Sequence, residues 1–316
     1  MKWQSVHLFI AAVLALLGPM SQKGWGDFIL YGDEHLTVNS SHSVGILYDR
    51  SRVTIASGGS VSNLYAYDSS VVKITAGSVD NLYTYGASSV NISGGTLDYL
   101  QAHDSSITDI SGGSVTDLFA YNSSITKIYG GSVDHLSAYD SSEVEISGGT
   151  LVDLKAHNSS TVEISGGTLS YLNAYDSSTT YISGGSVTYL NARDSSITEI
   201  SGGTLRDLNA YNSSTITFYG QNFRVGAGLT FNGERVLGTG ILSGEWMDGT
   251  RWAVNIQSNA LTATILAIPE SEHKPFCVKH PRMDFNGDCK VDFADLAIMA
   301  SSWLECNLVP ESACWE

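Results

Sequence analysis

The residues best spaced for chemistry lie near the end of the chain. In Asp284-Phe-Asn286-Gly-Asp288-Cys-Lys290-Val-Asp292-Phe-Ala-Asp295, side-chain oxygens fall at loop positions one, three, five, nine and twelve, and position seven offers the Lys290 carbonyl. Oxygen donors in that order match a loop wrapped round Ca2+, a hard cation that collects several oxygen ligands. Position six is Cys289 where glycine usually makes the sharp turn, and position twelve is Asp295 where a longer glutamate usually closes the shell. A shorter final ligand can weaken binding or change its geometry. The competing reading is an acidic turn capping the next helix through Asp292; five spaced oxygens favour calcium. Phe293, Leu296, Ala300, Trp303 and Leu304 then fall on one helical stripe.

All four cysteines, Cys277, Cys289, Cys306 and Cys314, share this segment. An even count in a short stretch of a secreted chain reads as two disulfides. Three pairings are open, with the neighbour pairing Cys277–Cys289 and Cys306–Cys314 favoured. Zinc is the alternative, but no Cys-x-x-Cys spacing is present. The Asp-x-Asn-Gly-Asp run followed by Val-Asp-Phe-Ala-Asp-Leu resembles half of a type I dockerin, the calcium-binding docking module of cellulosome-like and other secreted bacterial proteins. The resemblance implies a small α-helical, EF-hand-like module with calcium at Asp284, Asn286, Asp288, Asp292 and Asp295, and a cohesin-like partner. A full dockerin has two loop–helix units where this chain has one, and its hydroxyl recognition pair is here Phe293-Ala294. The whole tail is similar to tails on secreted proteins of planctomycete-like bacteria.

Ahead of this module stands the scaffold, one phrase written repeatedly over residues 56–220. A clean copy runs from Ile110 to Lys127, and the next starts at Ile128, a period of 18 residues. Ile recurs at Ile74, Ile92, Ile110, Ile128 and onward, and Leu at every step from Leu64 to Leu208. Gly-Gly and Asp/Asn-Ser-Ser in each copy break helices and favour turns, while Val, Ile, Thr and Tyr alternate in short runs that suit strands. A period in this range means stacked units, none of which buries its apolar face alone. The fold expected is all-β: a parallel single-stranded β-solenoid of 18-residue turns, about nine of them at roughly 4.8 Å spacing. Each copy reads as three very short strands, with corners at Gly-Gly, at a bend such as Val115-Thr-Asp-Leu118, and at Asp/Asn-Ser-Ser. Handedness is open, with right-handed favoured. The repeats are similar in kind to solenoid passengers of bacterial surface adhesins.

The flanks follow from what a solenoid needs. Residues 1–26 read as a secretory signal, with Lys2 before the apolar core His7–Leu17. Residues 27–55 read as an irregular N-terminal cap and 221–268 as a C-terminal β cap, in which Trp246 and Trp252 plug the open core or serve as ligand platforms. Residues 269–276 form a proline-bounded linker, and 277–316 the tail module. A formal net charge of −16 disfavours nucleic acid and anionic lipid. Outside the signal no stretch is long and apolar enough for a membrane span. The location expected is extracellular or cell-surface.

Two surface rows follow from the stacking. Asp68, Asp104, Asn122, Asp140, Asn158, Asp176, Asp194 and Asn212 recur at one corner, and side-chain to backbone bonding between turns is the main reading, cation sites the other. Beside them run Tyr67, Tyr85, His103, Tyr121, Tyr139, His157, Tyr175, Arg193 and Tyr211. Flat aromatics in line pack on one another or stack on sugar rings, so the tyrosines are the candidate ligand surface. No nucleophile–base set or carboxylate pair stands out, and His103 and His157 are three turns apart. These features point to a structural or adhesive rod that presents its surface to polysaccharide or cell-surface glycan. A polysaccharide lyase or hydrolase and a docked cellulosome-like component are the alternatives.

Overall fold

The computed structural model describes residues 27–269. The proposed signal segment, the calcium loop, the four cysteines and the dockerin-like tail lie outside the described residues. Every described strand belongs to one continuous sheet that winds about 11 times round a common axis. A typical turn carries two strands, such as Ser132–Ala138 and Glu143–Ile146, each paired in parallel with its equivalents one turn earlier and later. The register is the sequence repeat itself. Leu118 pairs with Leu136 and Leu136 with Leu154, while Ile110, Ile128 and Ile146 line up in the same way. The described residues are therefore a parallel β-solenoid, all-β and without helices.

Two details differ from the sequence reading. The stack is longer than nine turns, because the irregular entry joins it: Phe28–Leu30 pairs with Ser41–Leu47, and His35–Val38 with Arg52–Ile55. Each turn also has two strands rather than three. The bend does not end a strand; it is a kink inside the longer one, where Val133 and Leu136 both face inward three residues apart and the residues flanking Asp134 stay paired. Backbone pairing to the neighbouring turns continues through the kink, so the strand survives it. In Ser89–Ala102 and Ile107–Ala120 even the Gly-Gly corner is spanned without a break.

The interior consists of columns of like residues. Ile110, Val115, Leu118 and Ala120 are wholly enclosed, as are their counterparts in neighbouring turns. A dry apolar column is the driving force for stacking, worth about 1.5–3 kcal/mol for each large aliphatic side chain enclosed. The Asp/Asn corner has a conformational cause. Asp104, Asn122, Asp140 and Asn158 all have φ between 57° and 59°, a left-handed region that short polar side chains enter more easily than other non-glycine residues. Gly86 takes the same slot once, at φ 68°.

The last turn is closed by an excursion. Arg251–Asn259 and Thr264–Pro269 add a final pair of parallel strands on Thr204–Ala210 and Thr215–Val225. Between them, Leu229–Asn232 with Arg235–Gly238, and Gly240–Glu245 with Arg251–Asn259, form antiparallel hairpins. Trp252 stacks on Phe218 at 5.1 Å between centroids, and Trp246 on Trp252 at 4.7 Å. Both indoles are buried, and Trp246 Nε1 donates to the Gly203 carbonyl at 2.9 Å. They cover the end of the core and are not ligand platforms.

Candidate binding groove

The tyrosine row is a continuous stack. From Tyr31 through Tyr48, Tyr67, Tyr85, His103, Tyr121, Tyr139 and His157 to Tyr175, successive centroids lie 4.7 to 5.3 Å apart and planes 5° to 12° from parallel. Farther on, the Arg193 guanidinium lies 4.5 Å over the Tyr211 ring. Each ring covers a face of the next, so the row turns mainly edges and hydroxyls to solvent. Burial, aided by neighbouring phenols, pushes the Tyr67 hydroxyl above its usual range, and burial followed by adjacent Tyr and Asp groups does the same to Tyr85 and Tyr121. Aromatic packing between turns accounts for the row. A sugar ring would find no bare aromatic face along its middle.

The Asp/Asn corner is satisfied within the protein. Oδ2 of Asp104 accepts the Gly86 amide at 2.9 Å, Oδ1 of Asn122 accepts that of Asp104 at 3.2 Å, and Oδ2 of Asp176 accepts that of Asn158 at 3.0 Å. Asp68, Asp140 and Asp194 likewise reach back one turn to a backbone donor, whereas Asn212 donates its side-chain amide to Asp194 Oδ1; side-chain to backbone bonding between turns is the structural role expected from the sequence. Among the described residues no group of three or more His, Cys, Asp or Glu side chains is arranged to hold a metal.

A different face is concave. On the shorter strand of each turn the residues alternate in and out, and one outward position stacks as Thr54, Lys73, Asn91, Asp109, Lys127, Glu145, Glu163, Tyr181 and Glu199. Three depressions follow this row end to end. The first, about 310 Å³, is lined by Asp33, His35, Arg52, Val53, Thr54 and Lys73. The second, about 510 Å³, runs from Lys73 past Asn91, Ser93, Asp109 and Ser111 to Tyr129. The third, about 150 Å³, runs from Tyr129 past Glu145 and Glu163 to Tyr181 and Ser183. Lys73 borders the first two and Tyr129 the last two, so the three lie in line as a segmented lengthwise groove.

The groove is electrically polar. At its start Arg52 and Lys73 are exposed and form no ion pair among the described residues, whereas Asp33 is held by Arg50 through two 2.9 Å bonds. Lys127 is engaged by Glu145 at 2.7 Å. Beyond Tyr129 the lining is acidic. One turn past the third depression, burial pushes the Glu199 carboxyl above its usual range, and one of its oxygens, Oε2, is enclosed without a hydrogen-bond partner. Tyr181 and Tyr219 are likewise raised, first by burial and then by the Glu199 charge.

Tyr129 stands apart from the row of rings. It is 54% exposed, and no other aromatic ring packs against it among the described residues. It can offer a face to a ligand in this groove. Sequence reasoning passed over it, although the signal was present: the equivalent position in the neighbouring copies is Ser93, Ser111, Ser147 and Ser165. Arg52 and Lys73 were passed over too, being scattered in sequence and adjacent only once the turns stack.

Comparison with protein-family models, with curated proteins and with solved structures found no match.

Proposed function

We propose that the protein is an extracellular structural or adhesive rod whose lengthwise groove binds a linear carbohydrate chain. The observation that carries this reading is Tyr129, an unstacked and exposed ring set at the junction of two depressions whose lining also supplies Ser and Thr hydroxyls, the Asn91 amide and charged side chains. Sugar rings need an aromatic face for their apolar side and hydrogen-bonding groups around it. The near-uniform turns and the absence of long loops across the array favour a scaffold over a walled catalytic cleft. A glycan array probed with the wild type and with Tyr129→Ala tests this. Binding that the substitution weakens supports it, and an array with no hit overturns it.

Beyond the described residues, the tail would bind calcium through Asp284, Asn286, Asp288, Asp292, Asp295 and the Lys290 carbonyl, and attach the rod to a cohesin-like or other surface partner. Calcium titration of the whole chain by calorimetry, with Asp288→Ala as control, tests the first part. A pull-down with and without calcium tests the second.

A polysaccharide-cleaving enzyme is the second reading. The observation in its favour is Glu199, a carboxyl raised by burial beside two tyrosines, which is the property a general acid needs. Chain-shortened product from a bound polysaccharide, lost in Glu199→Gln, would move the assignment to this class.

A further inference from the structure

We propose that the groove's carbohydrate is anionic, a carboxylate- or sulfate-bearing linear polysaccharide whose acidic group sits between Arg52 and Lys73. This inference rests on the groove reading above and adds the ligand's chemical class and its placement.

The chain carries a net −16, and five of the ten Lys and Arg among the described residues pair with a carboxylate. Arg50 holds Asp33, Lys127 holds Glu145, Lys155 holds Asp153, Arg206 holds Asp207 and Arg251 holds Glu245. Arg52, Lys73, Arg193, Arg224 and Arg235 form no ion pair among the described residues; Arg193 lies over Tyr211 and Arg235 bonds backbone carbonyls, while Arg52 and Lys73 together line the first depression. The one carboxylate in that depression, Asp33, is bonded by Arg50 and also feels the Arg52 charge, so three cations stand round one anion. His35 is turned to the Thr54 hydroxyl at 3.3 Å. The depression is therefore a locally cationic spot on a strongly acidic molecule.

Register sets the spacing. Thr54 pairs with Lys73, and Arg52 lies two residues before Thr54 on the same outward face. Strand spacing and rise together put the Arg52 and Lys73 backbones about 8 Å apart. Two long cationic side chains rooted at that distance can both reach one carboxylate or sulfate, which relieves their mutual repulsion. The distant carboxylates oppose binding weakly, since charges are screened over about 8 Å at physiological salt.

Placement follows from the rest of the groove. From Thr54 to Lys127 the outward row climbs four turns, about 19 Å by strand spacing. An anionic chain anchored at Arg52 and Lys73 can lie along Asn91, Ser93 and Ser111, passing the single carboxylate of Asp109, and set a ring on Tyr129. Past that ring the lining passes to Glu145, which Lys127 holds, and Glu163, and offers the chain no further cation that is not already paired.

The test uses the full chain with three hexamers in calorimetry: hexagalacturonate, a sulfated galactan hexamer and cellohexaose. Wild type should bind at least one anionic hexamer about tenfold or more tighter than cellohexaose. The Arg52→Gln/Lys73→Gln double variant should lose that preference while keeping the wild-type melting curve, since both side chains are exposed. The tighter of the two anionic arms identifies carboxylate or sulfate as the recognised group. Cellohexaose binding as tightly as the anionic hexamers, or a double variant that binds them unchanged, overturns the anionic assignment and leaves the groove reading standing if Tyr129→Ala still weakens binding. No binding of any hexamer overturns both.

Discussion

Oδ2 of Asp140 accepts the backbone amide of Asn122 at 3.2 Å, one turn away along the rod. Both residues sit at φ 58°. One side chain thus serves two ends, adopting the left-handed corner at modest cost and satisfying a donor on the neighbouring turn. Asp140→Asn should be nearly neutral. Asp140→Gly keeps the corner but loses the acceptor, at about 1 kcal/mol. Asp140→Ala loses the acceptor and also strains the backbone, for a total of about 2–3 kcal/mol. Denaturant midpoints for the three variants check this order, and an alanine variant as stable as the glycine one would refute the backbone argument.

The Gly-Gly corner is constrained differently. Gly131 has φ 81°, and a Cβ there would meet the Gly112 carbonyl carbon and the Gly113 oxygen, each at 2.9 Å. Gly233, in a cap hairpin, has φ 61° with nothing within 4 Å. Gly233→Ala should therefore cost only the conformational penalty, about 1–2 kcal/mol. Gly131→Ala adds a clash with backbone that cannot turn aside, and should lower the denaturation midpoint clearly further. Equal losses would mean the stacked glycines can spread.

In a solenoid the repeat period and the pairing register are the same quantity. That is why the columns of Ile110, Leu118 and Ala120 were legible before any coordinates, and with them the fold. The kink at Asp134 was less so, because alternation fails there whether a strand ends or only bends. Nor was it evident that the second serine of Ser123-Ser124 is wholly enclosed while the first is exposed. The left-handed corner at Asn122 decides that, and composition alone does not show it. The groove was the hardest to see. Lys73 and Tyr129 reach the same trough from turns far apart in sequence, and only Tyr129 in place of serine marked it.

The row of rings carries a pH dependence. His157 lies between Tyr139 and Tyr175, with centroids 4.8 and 4.7 Å away. Burial holds its pKa below the ordinary 6.5, outweighing the pull of Asp176 Oδ2, 3.7 Å from Nδ1. Burial lowers His103 as well, against the opposing charge of Asp104. The folded chain thus binds these protons less readily than the unfolded chain. Their contribution to stability is whole above the unfolded value and falls as pH drops below it toward the folded one. His103→Tyr/His157→Tyr keeps flat rings in the row and removes the titration. The loss of denaturation midpoint between about pH 7.5 and about pH 5.5 should be smaller in this variant than in wild type. Identical losses would show that the imidazoles carry none of it.

The enclosed serines differ among themselves in a way that mutation can read. The Ser124 hydroxyl is wholly buried and has no hydrogen-bond partner. Ser106, its equivalent one turn earlier, accepts from the Thr84 hydroxyl at 3.2 Å. Thr84 occupies a column held by Ala66 and Ala102 on either side. An unpaired hydroxyl in a dry interior opposes folding, so Ser124→Ala should be neutral or stabilising by up to about 1 kcal/mol. Ser106→Ala removes a partner from a buried donor and should destabilise by about 0.5–1.5 kcal/mol, the Thr84 contact to the Gln101 carbonyl limiting the loss. Restoring alanine at the outlier, as Thr84→Ala/Ser106→Ala, should recover most of it. The double-mutant cycle measures the coupling directly, and a coupling of zero would mean that Thr84 and Ser106 are neighbours without being partners.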